Sequence, residues 1–362
     1  MINVTKSFLP DQHLFLNYVN KIWESGHLTN HGPLVVELES KLKEYFGVKH
    51  FFFLNNGTIA LQIAIKALDL KGEIITTPFS YVATTSSIIW ENCTPVFVDI
   101  NTIDLTIDTT KIEDKITPST SAILATHVYG IPCNVNEIEK IARKHRLKVI
   151  YDAAHSFGVK YDNVGILNFG DISTISFHAT KLFHTIEGGG IATNEDDLAH
   201  KISYMRNFGH NGPEKFFGVG INGKASEFNG AMGLAIFPSI SEIIKAREKI
   251  SKHYDVGLNS IPQIEKLSIK TNVSYNYAYH PIILKNEELL LKIIKKLNSN
   301  HIFPRRYFYP SLNTLNYLLK YDHCPISEDI SKRILCLPLY PSLSIEEVDH
   351  IINLIYLTTN EN

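Results

Sequence analysis

The sequence lacks a strong excess of charge of either sign. Its 35 Lys and Arg residues are balanced by 37 Asp and Glu residues, which leaves a net charge of −2. This balance excludes the broad basic surface that nucleic-acid-binding proteins and proteins of anionic membranes use. We therefore expect no nucleic-acid partner, and any anion that binds must be held by local groups.

The chain also has few cysteines and no long apolar run. Its four cysteines are scattered without a CxxC pair, and its 16 histidines form no HExxH motif, so we predict neither disulfides nor a metal site. Reduced thiols indicate a cytoplasmic protein. Charges or prolines interrupt every apolar stretch before about 18 residues, and the N-terminus has no apolar h-region, so we predict no membrane span and no signal peptide.

What the chain does contain is a two-part pattern. From about residue 50 to 195, short apolar runs alternate with helix-period segments, which is typical of βαβ units and a parallel sheet. After Phe237 and Pro238 the pattern changes to a long helical segment at 240–258, followed by mixed strands and helices. We therefore predict an α/β protein with a large, mainly parallel-sheet domain over residues 1–238 and a smaller C-terminal α+β domain over 239–362.

Two polar residues follow predicted strands of the large domain. Asp152 ends one strand, and Lys181 lies shortly after another, so both are expected near the carboxyl edge of the sheet, where ligands bind in open α/β folds. The predicted strands are 51–55, 73–77, 95–100, 121–128, 148–152, 173–177 and 190–194.

Each candidate site residue also has an ordinary structural explanation. In NNGT at 55–58, the N–H groups of Gly57 and Thr58 could bind a phosphate at a helix N-terminus, or the segment could be a plain strand-to-helix turn. Asp152 could be a helix cap, and Lys181 a solvated surface charge. Tyr81 could be a core aromatic or could stack on a planar ligand.

Three further features remain open on the same grounds. His155 is either structural or part of a site, and the pair Arg305 and Arg306 is either solvated or phosphate-binding. The segment GVGINGKA at 218–225 matches GxGxxG and nearly matches a P-loop, but no buried strand precedes it. We interpret that segment as a flexible glycine loop.

A single cofactor, pyridoxal 5'-phosphate, would explain four of these features together: the helix N-terminus, the aspartate, the flat aromatic side chain and the lysine. Its chemistry requires a lysine amine for a Schiff base and an aspartate to keep the pyridine nitrogen protonated, so that the ring acts as an electron sink. A helix N-terminus would hold its phosphate, and a flat aromatic side chain would pack on its ring.

An ordered series of motifs across nearly the whole chain resembles the DegT/DnrJ/EryC1/StrS sugar aminotransferases. The motifs are NNGTIAL (55–61), TTPFSYVATTSSI (76–88), PVFVDI (95–100), HVYG (127–130), DAAHSFG (152–158), SFHATK (176–181), EGGGIATN (187–194), MRNFG (205–209), GINGKASEFNGAMGL (220–234), RRYFYPSL (305–312) and CLPLYPSLSIEEV (336–348). The resemblance implies the type I aminotransferase fold and a homodimer with shared active sites. Two residues depart from the family pattern: Ile186 replaces the usual Gly before EGG, and Ala225 replaces the usual Met.

The resemblance also implies a role for each candidate residue. Lys181 would form the Schiff base, and Asp152 would pair with the pyridine nitrogen. The remaining implied cofactor contacts are His155 near the ring hydroxyl, Tyr81 on the ring, Gly57, Thr58 and Ser176 at the phosphate, and Asn222 at the phosphate of the neighbouring subunit's cofactor.

The implied reaction is a ping-pong transamination with L-glutamate as the amino donor. The acceptor would be a dTDP-linked 4-keto-6-deoxyhexose for surface-polysaccharide sugars such as those of O-antigen, with a 3-keto sugar as the alternative at C3. A non-catalytic regulator that retains the fold is a second alternative. Candidate contacts to the sugar nucleotide are Thr29, Asn30, Arg305 and Tyr309.

Overall fold

The helices alternate with strands over the first two thirds of the chain. The computed structural model describes residues 1–318 and 321–360. Asn56 and Asn134 each begin a helix by accepting a backbone N–H three residues later, from Ile59 at 2.8 Å and from Glu137 at 3.4 Å. The α-helices are α1 (Gln12–Ser25), α2 (Pro33–Phe46), α3 (Gly57–Ala67), α4 (Val82–Trp90), α5 (Val135–His145), α6 (Asp196–Met205), α7 (Glu227–Ile236), α8 (Ile240–Gly257), α9 (Glu287–Ser299), α10 (Pro325–Arg333) and α11 (Ile345–Asn360).

The strands are short, and several are buried from end to end. In HFFFL, the sequence of the second strand, Phe51 and Phe53 pack into one core cluster, whereas Phe52 and Leu54 pack into another, because successive side chains point to opposite faces. The strands are β1 (Ile2–Asn3), β2 (His50–Leu54), β3 (Glu73–Thr76), β4 (Thr94–Phe97), β5 (Thr120–Thr126), β6 (Lys148–Asp152), β7 (Lys160–Tyr161), β8 (Val164–Gly165), β9 (Ile172–Ser176), β10 (Gly189–Thr193), β11 (Ile264–Lys266), β12 (Val273–Ser274), β13 (His280–Leu284), β14 (Ile302–Phe303) and β15 (Ile334–Leu337).

The large sheet confirms the predicted α/β fold. Among the described residues it has seven strands in the order β2-β10-β9-β6-β5-β3-β4, with parallel pairing from β9 through β4. Strand β10 alone runs antiparallel, to both β2 and β9. The connection from β9 to β10 contains no crossover helix, and a parallel neighbour would need one.

This topology gathers three chain segments at one edge of the sheet. Strand β6 ends at Asp152, β9 ends at Ser176, and β2 is followed by Gly57, the first residue of α3. The turn that carries Lys181 lies between β9 and β10, so it projects from the same edge. Both faces of the sheet are covered by helices, which explains the nearly continuous apolar strands.

The C-terminal region has its own core. Helices α8, α9 and α11 pack with β13 and β15 around a separate cluster that includes Tyr254, Leu290 and Ile351. The first residues of the chain also join this region, because β1 pairs with β14. We propose the domains to be 1–238 and 239–362; of the second, residues 319, 320, 361 and 362 lie outside the described part.

Several elements differ from their predicted bounds. The strand predicted at 95–100 ends at Phe97, after which only an isolated bridge joins Ile100 to Ile107. The segment 218–225 lies in the irregular connection between α6 and α7. All four cysteines are buried and unbonded to one another. None of the described helices is long and apolar enough to cross a bilayer.

Candidate active site

A cavity of about 360 Å³ opens at the carboxyl edge of the large sheet. Lys181 and Asp152 both line it, although they lie on different strand ends. The other predicted residues that line it are Gly57, Thr58, Tyr81, His155, Ser176 and Arg305.

Asp152 is held at the floor of the cavity by two donors. Its Oδ2 accepts the hydroxyl hydrogen of Thr84 at 2.7 Å, and its Oδ1 accepts the N–H of Ala154 at 3.1 Å. Only 6% of the residue is exposed. Burial raises the pKa of the Asp152 carboxyl, while these two hydrogen bonds and the charge of Lys181 act in the opposite direction.

Lys181 lies on a loop whose two ends are joined. Phe177 N–H donates to the carbonyl of Gly188 at 2.8 Å, and Lys181 N–H donates to the carbonyl of His178 at 2.8 Å. Burial lowers the pKa of the Lys181 amine, which favours the neutral form that acts as nucleophile and base. The negative charge of Asp152 opposes this effect.

The same loop contains a strained backbone position. Ile186 has a φ of 70°, in the left-handed region that β-branched residues rarely adopt. Its N–H donates to Nδ1 of His184 at 3.2 Å, and 44% of the residue is exposed. The family pattern that the sequence resembles has glycine at this position, and the left-handed dihedral angle gives a physical reason for it.

His155 is fixed in one tautomer. Its Nδ1 accepts the N–H of Tyr129 at 3.1 Å, so in the neutral ring the proton is on Nε2. The ring is stacked on Phe308, with centroids 5.7 Å apart and an interplanar angle of 2°, and contacts Tyr279 edge-on. Burial holds the pKa of His155 well below its usual value, so the ring is neutral and offers one N–H donor.

The opposite end of the cavity is built to receive an anion. Gly57 and Thr58 are in the first turn of α3, whose N–H groups have no carbonyl acceptor within the helix. A side chain at residue 57 would place its Cβ 3.1 Å from the Cβ of Ser176, so glycine lets the turn approach the end of β9. An anion here would meet backbone donors, the positive end of the helix dipole and the Ser176 hydroxyl.

Together these groups fit a phosphorylated pyridine ring. The donors at the start of α3 suit the phosphate, the buried carboxylate of Asp152 suits a protonated ring nitrogen, and the amine of Lys181 lies on the same cavity. Tyr81 also lines the cavity and is 59% exposed, so its ring has a face free to pack against a planar group.

Four predicted residues lie outside this cavity within a single copy of the described chain. Asn222 is exposed, and its backbone carbonyl accepts from Asn55 at 3.2 Å. Thr29 is in an exposed loop, and Asn30 lines a separate cavity of about 190 Å³. Tyr309 is half exposed, with the Arg306 guanidinium 3.6 Å from its ring centroid.

Sequence reasoning missed several residues of the site. Thr84, Ser80 and Thr126 are buried beside Asp152, and Tyr279 and Tyr307 form part of the cavity wall. One signal was present: Ser80 and Thr84 stand four residues apart within the hydroxyl-rich stretch TTPFSYVATTSSI, a spacing that places side chains together in a helical turn.

Comparison with known proteins identifies full-length relatives. A model of the DegT/DnrJ/EryC1/StrS aminotransferase family matches residues 11–356. Two proteins named dTDP-4-amino-4,6-dideoxy-D-glucose transaminase, from Shigella dysenteriae and Escherichia coli, are each 40% identical to this chain, and each match covers 98% of both sequences. A GDP-perosamine synthase of Escherichia coli O157:H7 is 32% identical over 92% of both.

Solved structures show the same fold. The structure of DesI in the presence of its TDP-sugar product superposes with a TM-score of 0.95 at 28% identity, covering 99% of this chain and 93% of that one. NtdA of Bacillus subtilis, with bound cofactor PMP, has a TM-score of 0.88 at 27% identity, covering 96% and 82%. The predicted fold is confirmed along nearly the whole chain.

Proposed function

The chain belongs to the DegT/DnrJ/EryC1/StrS aminotransferase family, and from this premise we propose that it transfers the amino group of L-glutamate to a nucleotide-linked keto-6-deoxyhexose. Family membership confirms the predicted transaminase class and the predicted cofactor, pyridoxal 5'-phosphate. The finer proposal is amination at C4 of dTDP-4-keto-6-deoxy-D-glucose. The observation that carries it is the 40% identity, over 98% of both chains, to two transaminases named for the dTDP-4-amino sugar.

The residues that would hold the cofactor are those on the cavity wall. Gly57, Thr58 and Ser176 would bind its phosphate, and Asp152 would face its ring nitrogen. When bound, the cofactor supplies an electron sink for the charge that develops at the reacting carbon. Asp152 would stabilise a proton on the ring nitrogen, because an ionised carboxylate in a buried site interacts strongly with a neighbouring cation.

Lys181 is the proposed acid and base. Its Nζ would remove the proton from Cα of glutamate in the first half-reaction and deliver a proton to C4 of the sugar in the second. Burial favours the neutral amine that the first step needs, and the proximity of Asp152 supports the charged form that the second step needs. The neutral His155 adds a fixed N–H donor on the same cavity.

We further propose a homodimer whose sites are shared. Asn222 would reach the phosphate of the neighbouring subunit's cofactor, and Thr29, Asn30 and Tyr309 would join Arg305 at the sugar diphosphate. The exposure of Asn222 supports a contact outside its own subunit. The loop before it also exposes apolar side chains at Phe216, Phe217 and Val219, which a second subunit could cover.

The substrate assignment is tested with purified holoenzyme and L-glutamate. A dTDP-4-keto-6-deoxyhexose and a dTDP-3-keto-6-deoxyhexose are supplied separately, and the aminated sugar is identified by mass spectrometry and NMR. We expect amination of the 4-keto sugar and formation of 2-oxoglutarate. Amination of the 3-keto sugar alone would make the protein a 3-aminotransferase, and bound cofactor without any turnover would indicate a regulator.

Shared sites are tested by complementation between two inactive variants. Lys181→Ala and Asn222→Ala chains are co-expressed with different affinity tags, and the mixed dimers are isolated. If Asn222 serves the partner's site, one site in each mixed dimer has both native residues, so activity returns to about half of wild type per dimer. Activity no higher than that of the Asn222→Ala homodimer would place Asn222 in its own subunit's site or in none.

A further inference from the structure

A chain of three buried hydroxyl groups leads to Asp152. Thr126 Oγ1 lies 3.1 Å from Ser80 Oγ, Ser80 Oγ lies 2.7 Å from Thr84 Oγ1, and Thr84 Oγ1 lies 2.7 Å from Asp152 Oδ2. Each hydroxyl residue is at most 3% exposed. Three separate segments supply them: strand β5, the loop after β3, and helix α4.

The charge of Asp152 fixes the direction of every hydrogen bond in this chain. An ionised carboxylate only accepts, so Thr84 must donate to it. A hydroxyl has a single hydrogen to donate, so Ser80 must then donate to Thr84, and Thr126 must donate to Ser80. All three hydroxyl dipoles therefore point their positive ends toward Asp152, and each bond strengthens the next by polarisation.

We propose that Thr84, Ser80 and Thr126 are positioning residues that form a one-way hydroxyl relay, which orients the Asp152 carboxylate and keeps it ionised against the ring nitrogen of the cofactor. The carboxyl group is only 6% exposed, and the relay ends in Thr84, which donates to Oδ2, while the Ala154 N–H donates to Oδ1. Hydrogen bonds to the charged form are the compensation that such burial requires.

Apart from the Ala154 N–H, which donates to Oδ1, the described groups around Asp152 outside the relay give its carboxylate no hydrogen bond. From the cavity, Lys181 contributes a positive charge, whereas His155 is neutral. On the neighbouring strand side, His127 donates its backbone N–H to the carbonyl of Asp152, and burial lowers the pKa of its ring to about 3, so it is uncharged at neutral pH. Thr174 on β9 contributes a backbone carbonyl to Ala153 rather than a donor to the carboxylate.

A neighbouring threonine offers a matched control. Thr85 is as fully buried as Thr84, but its hydroxyl has no hydrogen-bond partner in the described structure. Thr84→Val and Thr85→Val therefore make the same chemical change one residue apart, and only the first removes a donor from the relay. Thr84→Ser keeps the donor and removes only a methyl group.

The test measures how tightly the holoenzyme retains its cofactor as pH falls. The enzyme is converted to its pyridoxamine form, diluted at values from about pH 4 to pH 8, and the released cofactor is measured by fluorescence. Wild-type retention should fall as Asp152 becomes protonated. Loss of the Thr84 donor raises the pKa of Asp152, so in Thr84→Val the same fall should occur about one to two pH units higher.

The relay also predicts how far the pH of cofactor release shifts in each variant. Thr85→Val and Thr84→Ser should coincide with wild type, and Thr126→Val, two bonds further away, should shift the curve less than Thr84→Val. A Thr84→Val curve that coincides with wild type, or one lowered equally at every pH, would overturn the proposal, because a purely structural role gives the second result. No sugar is present, so an incorrect sugar assignment would leave this outcome unchanged.

Discussion

The two halves of the active site are held by different means. Asp152 ends a central parallel strand and is fixed through its side chain, by hydroxyl and N–H donors from surrounding elements. Lys181 lies on a loop that is fixed through its backbone, and the described structure pairs its amine with no hydrogen-bond acceptor. The difference fits the proposed roles, in which the carboxylate holds a fixed position while the amine moves between reacting atoms.

The largest expected effect comes from removing the amine of Lys181. Lys181→Ala eliminates the amine that would bind the cofactor covalently and transfer protons, so turnover should fall by about 10³-fold or more. The visible absorbance of the bound cofactor should also change. Stopped-flow and steady-state assays with glutamate measure the loss, and retention of near-normal turnover would remove Lys181 from the mechanism.

The second largest effect is expected from removing the charge of Asp152. Asp152→Asn keeps the shape of the side chain and removes its charge, so cofactor affinity should weaken by about 10- to 100-fold, the value of one charge-assisted hydrogen bond. Asp171→Asn is the control, because Asp171 lies beside the amino end of β6, far from the cavity edge. There its carboxylate accepts the N–H of Val149 and the amine of Lys148. Equal loss of cofactor in both variants would contradict the assignment.

A third change loosens the lysine loop without touching the lysine. The side-chain amide of Asn229 donates to the carbonyls of Thr185 and Glu187 at 2.8 and 2.9 Å, while its oxygen accepts from Ser226. Asn229→Asp retains the acceptor and loses both donors, so the free energy of unfolding should fall by about 2 kcal/mol.

Urea denaturation of the holoenzyme measures this third effect, and a kcat measurement reports its consequence for Lys181. Ser226→Ala is the control, since it breaks the helix cap but leaves both amide donors of Asn229 in place. If Asn229→Asp loses stability but keeps its kcat, the rigidity of the loop is not needed for catalysis.

The smallest expected effect is a gain in stability. Ile186→Gly relieves a left-handed backbone that costs an L-residue about 1–2 kcal/mol, and adds the extra unfolded-state entropy of glycine, about 0.5–1 kcal/mol. The net increase in unfolding free energy should therefore be about 0.5 kcal/mol. Ile186→Ala keeps the Cβ and should bring no gain; a destabilised Ile186→Gly would show that the isoleucine side chain supports the loop.

Much of the large sheet was predictable because its strands are buried on both faces. KVIYD at 148–152 is β6 without change, and the predicted strands at 51–55 and 190–194 differ from β2 and β10 by one residue. The antiparallel direction of β10 was not predictable from periodicity, because side chains alternate between the two faces of a sheet in the same way whichever direction the strand runs. Helices α1 and α2 were not predicted, although Asp11 caps the first of them and Pro33 stands at the first position of the second.

The site was predictable only where a motif marked it. Asp152 and Lys181 follow strands, and strand ends converge in this fold class. Thr84 lies 68 residues from Asp152 in sequence, and its contact depends on how α4 packs beside β6. The contact proposed for Asn222 is with a second subunit's cofactor, so it belongs to the proposed dimer rather than to the fold of one chain.

The reversed direction of β10 has a mechanical consequence. The chain that carries Lys181 leaves the sheet at Ser176 and re-enters it at Gly189, which are paired with each other in the β9–β10 ladder. Both ends of the loop are therefore held by one residue pair of the β9–β10 ladder, which restricts movement of the base of the loop toward either substrate. In the proposed mechanism, the amine can move only as far as the four methylene groups of its side chain allow, so two successive substrates would each bring their reacting carbon to the same point in space.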